Sequence, residues 1–377
     1  MRFGAREGKV SEVRKQMRLI GTIAVIAMVA VACGGDAKTT DEGGAPLVRL
    51  AASSSGEAYV GQYRAAEEYG DLVGISTEDA LTEFESHATA AQVTLAGRAD
   101  INSGGLTQLL QLIQEGQDFR AFCPVQKDST EHLVGRTEAI TSLDQITDPN
   151  VRVAVDSPGG LINFIMNLVF RERGMNITVD DLQNVTILED GGLRLSALAA
   201  DEVDVGSVDL FEVADLRDQV GEDAITVLSV TAADADFMAN IYFAPKEWLD
   251  ENTDVAGRYC AATLYANRLQ ASNLEEYERV VNKYIEGGVP NDVTEGIWNF
   301  ARENEIWPYN TDVLDEEAVR TVIEVSVASG LLDESTLDLT FEDVVDTRPM
   351  DIANDLLGGP IDTQDVLDGN VPEPSSS

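Results

Sequence analysis

Val151-Arg152-Val153-Ala154-Val155 runs directly into Asp156-Ser157-Pro158-Gly159-Gly160, and that loop opens on Leu161-Ile162-Asn163-Phe164-Ile165-Met166-Asn167-Leu168-Val169. Alternating valines favour a half-buried strand. Asp, Ser, Pro and two glycines then turn the chain. Leu161, Ile165 and Val169, four apart, put an apolar stripe on the helix that follows. A strand, a tight loop and a buried helix make a βα unit, the building block of sheets covered on both faces by helices.

The same grammar extends in both directions. Upstream, residues 47–51 predict a strand, and Ser53-Ser54-Ser55-Gly56 leads into a helix reaching Tyr69. Residues 88–96 predict a helix, Asp100-Ile101 a short strand, Asn102-Ser103-Gly104-Gly105 a turn, and residues 106–115 a helix with Leu106, Leu109, Leu110 and Ile113 on one face. Residues 119–123 predict a strand stopped by Pro124, and His132-Leu133-Val134 another. Downstream, strands are expected at 184–188, 203–208, 225–230 and 237–243, with a helix at 193–200 and a mostly helical chain from Pro245. Residues 351–377, rich in Gly, Asp and Pro, are expected to form a poorly ordered acidic tail.

The chain has 377 residues, 67 acidic against 26 basic, for a formal net charge of −41, and 44% are apolar. That apolar content supports a sizeable core, and the length suits two or three domains. Such an acidic surface excludes general nucleic-acid binding, which needs basic groups to displace counterions. Only His87 and His132 are available as imidazole ligands, and neither sits at ligand spacing from a Cys or carboxylate, so no metal is expected. The run Asp250-Glu251-Asn252-Thr253-Asp254 fails as a calcium loop because Val255 stands where glycine is required. No P-loop, GxGxxG or GxSxG is present. These features predict neither an enzyme nor a cofactor.

Six basic residues precede residues 19–32, LIGTIAVIAMVAVA, an uncharged stretch of roughly 21 Å as a helix against the ~30 Å of a hydrocarbon core. A signal peptide over residues 1–32 fits that length. Translation could start at Met1 or at Met17. Ala30-Val31-Ala32-Cys33 resembles the lipobox of bacterial lipoproteins, which implies lipidation of Cys33 as the mature N-terminus on the outer face of the cell membrane. Residues 33–46 then read as a flexible tether. Removing residues 1–32 takes away six basic and two acidic residues and leaves a charge of −45. Cys123 and Cys260 remain, and outside the cytoplasm they form either a bridge or two buried thiols.

Four segments resemble the solute-binding proteins of ABC importers, in the subfamily for nitrate, sulfonates, taurine and thiamine precursors. They are Ala91-Gln92-Val93-Thr94-Leu95-Ala96-Gly97-Arg98-Ala99-Asp100-Ile101; Ile140-Thr141-Ser142-Leu143-Asp144-Gln145-Ile146; the Asp156-to-Gly160 loop with its helix, Arg171-Glu172-Arg173-Gly174-Met175 and Asp181-Leu182; and Leu198-Ala199-Ala200-Asp201-Glu202-Val203-Asp204-Val205. The sequence departs from the family at Ser207-Val208-Asp209-Leu210-Phe211, where many relatives carry Trp-x-Pro. The resemblance implies an α/β, two-lobed periplasmic-binding-protein-like clamshell, each lobe a mainly parallel sheet flanked by helices. Lobe one would take residues 47–124 plus 243–350, and lobe two residues 125–242. A bridge between Cys123 and Cys260 would then lie within lobe one.

The implied function is capture of a small organic solute by a lipid-anchored monomer and delivery to an ABC permease with its ATPase. A sensory adaptor of the same fold is the alternative, and a pyrimidine-forming enzyme a more distant one. Ligands of such sheets sit at strand C-terminal ends. The candidate contacts are Ser53, Ser54, Ser55, Asn102, Ser103, Gly104, Ser157, Gly159 and Gly160, with Asp209 and Tyr242 as further additions. These loops hold no basic residue, and Glu57, Asp156, Glu189, Asp190 and Asp209 flank them, while Arg194 and Arg217 could reach in from lobe two. A neutral or cationic solute, such as a heterocycle or an amine, is expected.

Overall fold

Two five-stranded sheets organise the chain. The computed structural model describes residues 39–53, 58–84, 87–156, 160–210, 212–231 and 237–375. The first sheet contains β1 (Leu50–Ser53), β2 (Leu81–Phe84), β3 (Ile101–Gly104), β4 (Phe119–Lys127) and β10 (Met238–Pro245), in the order β2-β1-β3-β10-β4. The second contains β5 (Glu131–Arg136), β6 (Val153–Val155), β7 (Val185–Ile187), β8 (Val205–Asp209) and β9 (Ile225–Val230), in the order β7-β6-β8-β5-β9. In each, two pairings are parallel and two antiparallel, because one strand, β10 or β5, runs against the other four. Both sheets are therefore mixed, with a parallel half built from βα units.

The two sheets also share a clamp. Arg49, just before β1, bonds Asp100, just before β3, through its backbone N (2.8 Å), Nε (3.0 Å) and Nη2 (2.6 Å). Arg152, just before β6, bonds Asp204, just before β8, in the same three ways at 2.7, 3.0 and 2.5 Å. The aspartates of the two resembling segments thus fasten the strand starts, at the opposite end of each sheet from the strand C-termini. A forked arginine on one carboxylate fixes register as well as adding energy.

The chain crosses between sheets after β4 and again before β10, so residues 125–127 and 238–242, expected in the second lobe, belong to the first sheet. Asp128 binds the crossings together: its N–H donates to the Phe237 carbonyl (2.8 Å), and its carboxylate accepts from the Phe237 N–H (3.3 Å). Asp128 holds φ of 57°, a left-handed conformation in which aspartate is better tolerated than most residues. Further apolar packing joins the lobes. Helices α4 (Leu106–Gln114) and α11 (Glu316–Ala328) of the first lobe share one core with α5 (Leu161–Glu172) of the second, through Leu110, Val322, Ile165 and Phe164. The remaining helices are α1 (Val60–Tyr63), α2 (Ala65–Val73), α3 (His87–Leu95), α6 (Gly191–Ala199), α7 (Glu212–Val220), α8 (Lys246–Ser272), α9 (Leu274–Tyr284), α10 (Asn291–Glu303), α12 (Arg348–Leu356) and α13 (Thr363–Leu367). No helix among the described residues is long and apolar enough to cross a membrane.

Three expectations need correction. Pro124 does not stop β4 but lies inside it, opposite Ile241. β4 is the edge strand and its pairing with β10 is irregular there, so a residue without an N–H is tolerated. Asn102, Ser103 and Gly104 belong to β3 rather than to a turn, since β10 pairs across them. The expected disordered tail is instead packed: Ala353, Leu357 and Val366 are buried, and the Ser375 N–H donates to the Leu356 carbonyl at 2.7 Å. Gly257 on α8 permits this docking. A Cβ there would stand 2.6 Å from the Ile352 side chain and 3.0 Å from the Pro349 carbonyl. A few apolar anchors suffice to order a segment whose average composition is polar. Within the first lobe, Cys123 of β4 and Cys260 of α8 are joined by a disulfide with Cα atoms 5.5 Å apart.

Candidate functional site

The wall supplied by the first lobe begins where β1 ends. Tyr59, just before α1, and Tyr63, its last residue, stack with ring centroids 6.2 Å apart and planes at 28°. The Tyr63 hydroxyl accepts from Asn240 Nδ2 at 3.0 Å and lies 3.2 Å from Ser103 Oγ, which donates to Asn240 Oδ1 at 2.9 Å. Ser53 also contacts the Tyr63 hydroxyl. One strand end, one strand centre and β10 therefore hold a single phenol in place. Tyr59 keeps partial exposure, and its phenol is pushed far up by burial first and then by the charges of Asp209 and Glu131.

Those two carboxylates form the opposite wall. Glu131 of β5 and Asp209 of β8 are direct cross-strand partners, so their side chains rise from the same face of the second sheet. Like charges so placed repel. Asp209 Oδ2 accepts from Thr130 Oγ1 at 2.7 Å, its N–H donates to Glu212 Oε2 at 2.9 Å, and its Oδ1 is buried with no hydrogen-bond partner. Glu131 accepts a short bond from Ser207 Oγ. Burial, then Glu131, then Glu212 push the Asp209 carboxyl up to about 8. Burial also raises Glu131, with Glu212 and Asp156 adding to it and Arg194 and Ser207 opposing it. Gln126 of β4, 1% exposed, reaches the Tyr59 hydroxyl; its Nε2 donates to the Asp128 carbonyl at 3.1 Å, and its Oε1 has no partner.

Helix N-termini often receive anions, but those of α5 and α6 carry carboxylates of the chain itself. Asp156 takes the N–H groups of Ile162 (3.0 Å) and Asn163 (3.1 Å) at the start of α5. Gly160 is what admits it, since a Cβ there would fall 2.1 Å from Asp156 Oδ2. Asp190 caps α6 in the same manner through the Leu193 N–H at 2.9 Å. Arg194 is 5% exposed and is engaged with backbone: the carbonyls of Leu188 and Glu189 (both 3.1 Å) and of Ser207 (3.3 Å). Arg217 faces Glu222 at 3.6 Å instead of entering the site.

The structure therefore gathers Ser53, Ser103 and Asp209 around the two tyrosines and places Gly160 at the N-terminus of α5. Asn102 and Gly104 sit on the other face of β3, towards Gln108 and Phe243. Tyr242 is corrected to a core residue. It is fully buried among Phe122 and Tyr259, and its hydroxyl donates to the Gln62 carbonyl at 2.9 Å. Ser54, Ser55, Ser157, Gly159 and Cys33 lie outside the described residues. Sequence reading missed Tyr59, Tyr63, Gln126 and Glu131. The i, i+4 tyrosines offered a local signal, but nothing marked Glu131 out from 66 other acidic residues. Among the described residues no three His, Cys, Asp or Glu side chains converge to hold a metal.

No protein-family model matches the sequence, and no curated protein matches it. Solved structures do. The periplasmic nitrate-binding protein NrtA of Synechocystis PCC 6803 superposes with a TM-score of 0.62 at 14% identity, covering 87% of this chain and 91% of that one. A putative sulfonate ABC transporter component, the periplasmic sulfonate-binding protein SsuA of Methylobacillus flagellatus KT, gives 0.59 at 14% identity, covering 90% and 99%. A conserved gene product of Candida albicans, described as having the generic periplasmic-binding-protein fold, gives 0.60 at 11% identity, covering 80% and 96%. At these identities the likeness establishes the fold: this chain has the periplasmic-binding-protein architecture, and its structural neighbours include solute-binding components of ABC-type importers.

Proposed function

We propose that this protein is an extracytoplasmic, lipid-anchored solute receptor that holds a small organic molecule between its lobes and passes it to an ABC permease with its ATPase. The observation that carries this reading is the convergence of polar side chains from both lobes on one place: Tyr59, Tyr63 and Gln126 from the first, Glu131 and Asp209 from the second. Ser53, Tyr59, Glu131, Asp156 and Asp209 each keep partial exposure while their supports are buried, so solvent reaches the junction. A ligand touching both walls would favour a closed state that a permease can recognise. Residues 1–32 act as the export signal, Cys33 as the lipidated anchor, and residues 33–46 as the tether.

Two measurements test this. Cys33→Ala should leave the precursor unprocessed or release the protein from membranes; normal processing with unchanged membrane retention refutes the anchor. A thermal-shift screen of metabolite fractions should raise the melting temperature by mass action, by about 2.7 kcal/mol of added stability at a ligand concentration 100 times Kd. Absence of any stabilising fraction, together with failure to co-purify a permease from crosslinked membranes, refutes the receptor reading.

A further inference from the structure

We infer that the solute is an organic ammonium bearing at least one N–H, held by Asp209 and Glu131 against the ring of Tyr59. The inference rests on the receptor reading above and names the ligand class of that same site.

Three independent features point the same way. First, two carboxylates stand opposite each other on adjacent strands with no arginine or lysine among the described residues bonded to either. Arg194, the cation that most influences Glu131, spends its Nε and Nη1 on the carbonyls of Leu188, Glu189 and Ser207 and makes no bond to either carboxylate. Such a pair lacks a counter-charge that a cationic ligand would supply. Second, two acceptors at the junction are unsatisfied. Asp209 Oδ1 and the Oε1 of Gln126, itself 1% exposed and beside the Tyr59 hydroxyl, are buried without partners. An ammonium N–H satisfies such atoms, whereas nitrate or a sulfonate brings only further acceptors. Third, the partly exposed ring of Tyr59, backed by buried Tyr63 and beside the carboxylates, suits the alkyl and cationic parts of an organic ammonium. The N-terminus of α5, a seat where an anion could otherwise lie, is filled by Asp156.

The groups around Asp209 explain how the empty site avoids ionic strain. Glu131 of β5 and Glu212 of α7 disfavour a charge on Asp209, while Glu212 and Asp156 disfavour one on Glu131, where Arg194 of α6 offsets part of the effect. A proton shared by the pair offsets this repulsion. Binding an ammonium expels it, so binding releases protons near neutral pH.

The experiment is calorimetry on the detergent-solubilised full chain. The probes are putrescine, agmatine and tyramine as ammonium donors, choline as a cation without N–H, nitrate and ethanesulfonate as anions, and calcium and zinc. At least one ammonium donor is expected to bind more tightly than choline, with a heat that varies with buffer ionisation enthalpy. Asp209→Asn and Glu131→Gln should each weaken it by about 10- to 150-fold. Asp209→Asn should meanwhile raise the melting temperature of the empty protein, an effect that a purely structural carboxylate would not produce. Binding of an anion or a metal ion with no ammonium response overturns the ligand class while leaving the receptor reading intact. Unchanged affinity in both variants, or choline binding as well as the primary amines, also overturns it. No response to any probe and none to metabolite fractions removes the receptor reading itself.

Discussion

Replacing both Cys123 and Cys260 by alanine removes a bridge whose ends are 137 positions apart. Opening a loop of that size returns conformational entropy to the unfolded chain, worth ~5 kcal/mol at 25 °C in the chain-entropy relation and about 2–4 kcal/mol for typical measured bridges. Both cysteines are fully buried, against Phe122, Val125 and Tyr259, so loss of two sulfur atoms adds about 1–2 kcal/mol of lost packing. The sum is about 3–7 kcal/mol. The unfolding entropy of a chain of this length is on the order of 0.7 kcal/mol/K, which converts that loss to a melting point lower by about 4–10 °C. Scanning calorimetry of the double variant against the parent measures it. Mass spectrometry of denatured, unreduced, alkylated parent protein checks the premise. Alkylation at both sulfurs, or a double variant melting within about 1 °C of the parent, refutes the reasoning. Reductant added to the folded parent should act slowly, because neither sulfur is reachable without local opening.

The Asp209 carboxyl, raised to about 8 in the folded chain, binds a proton there that the unfolded chain releases near ~3.9. Its stabilising contribution is therefore complete below ~4 and is lost as pH rises through about 8; urea melts of Asp209→Asn should lack this decline, and parallel pH profiles for variant and parent would contradict it. Gly160→Ala places a Cβ on the Asp156 carboxylate and should cost about 1–2 kcal/mol through loss of the α5 cap, read as a lower urea midpoint with unchanged slope. A midpoint that does not move would mean that Asp156 caps α5 without needing the glycine.

The succession of strands and helices was legible because it is written in local patterns. Valine alternation announced β6, four-residue apolar spacing announced α5, and Gly or Asp marked the turns between them. The acidic pair was not legible. Glu131 and Asp209 are 78 positions apart in a chain where one residue in about six is acidic, and only the antiparallel register of β5 against β8 sets them face to face. Pro124 tells a similar story, since whether proline ends a strand depends on which edge of the sheet that strand occupies. So does the stretch after residue 350, ordered by Leu356, Leu357 and Val366 finding buried places that average composition does not reveal. By itself the sequence determined the alternation of elements and the excess of acidic residues, which follow from composition and from neighbours along the chain. Only the tertiary structure decided which side chains share a site, because strand pairing and lobe packing bring together groups whose separation in sequence says nothing of their distance in space.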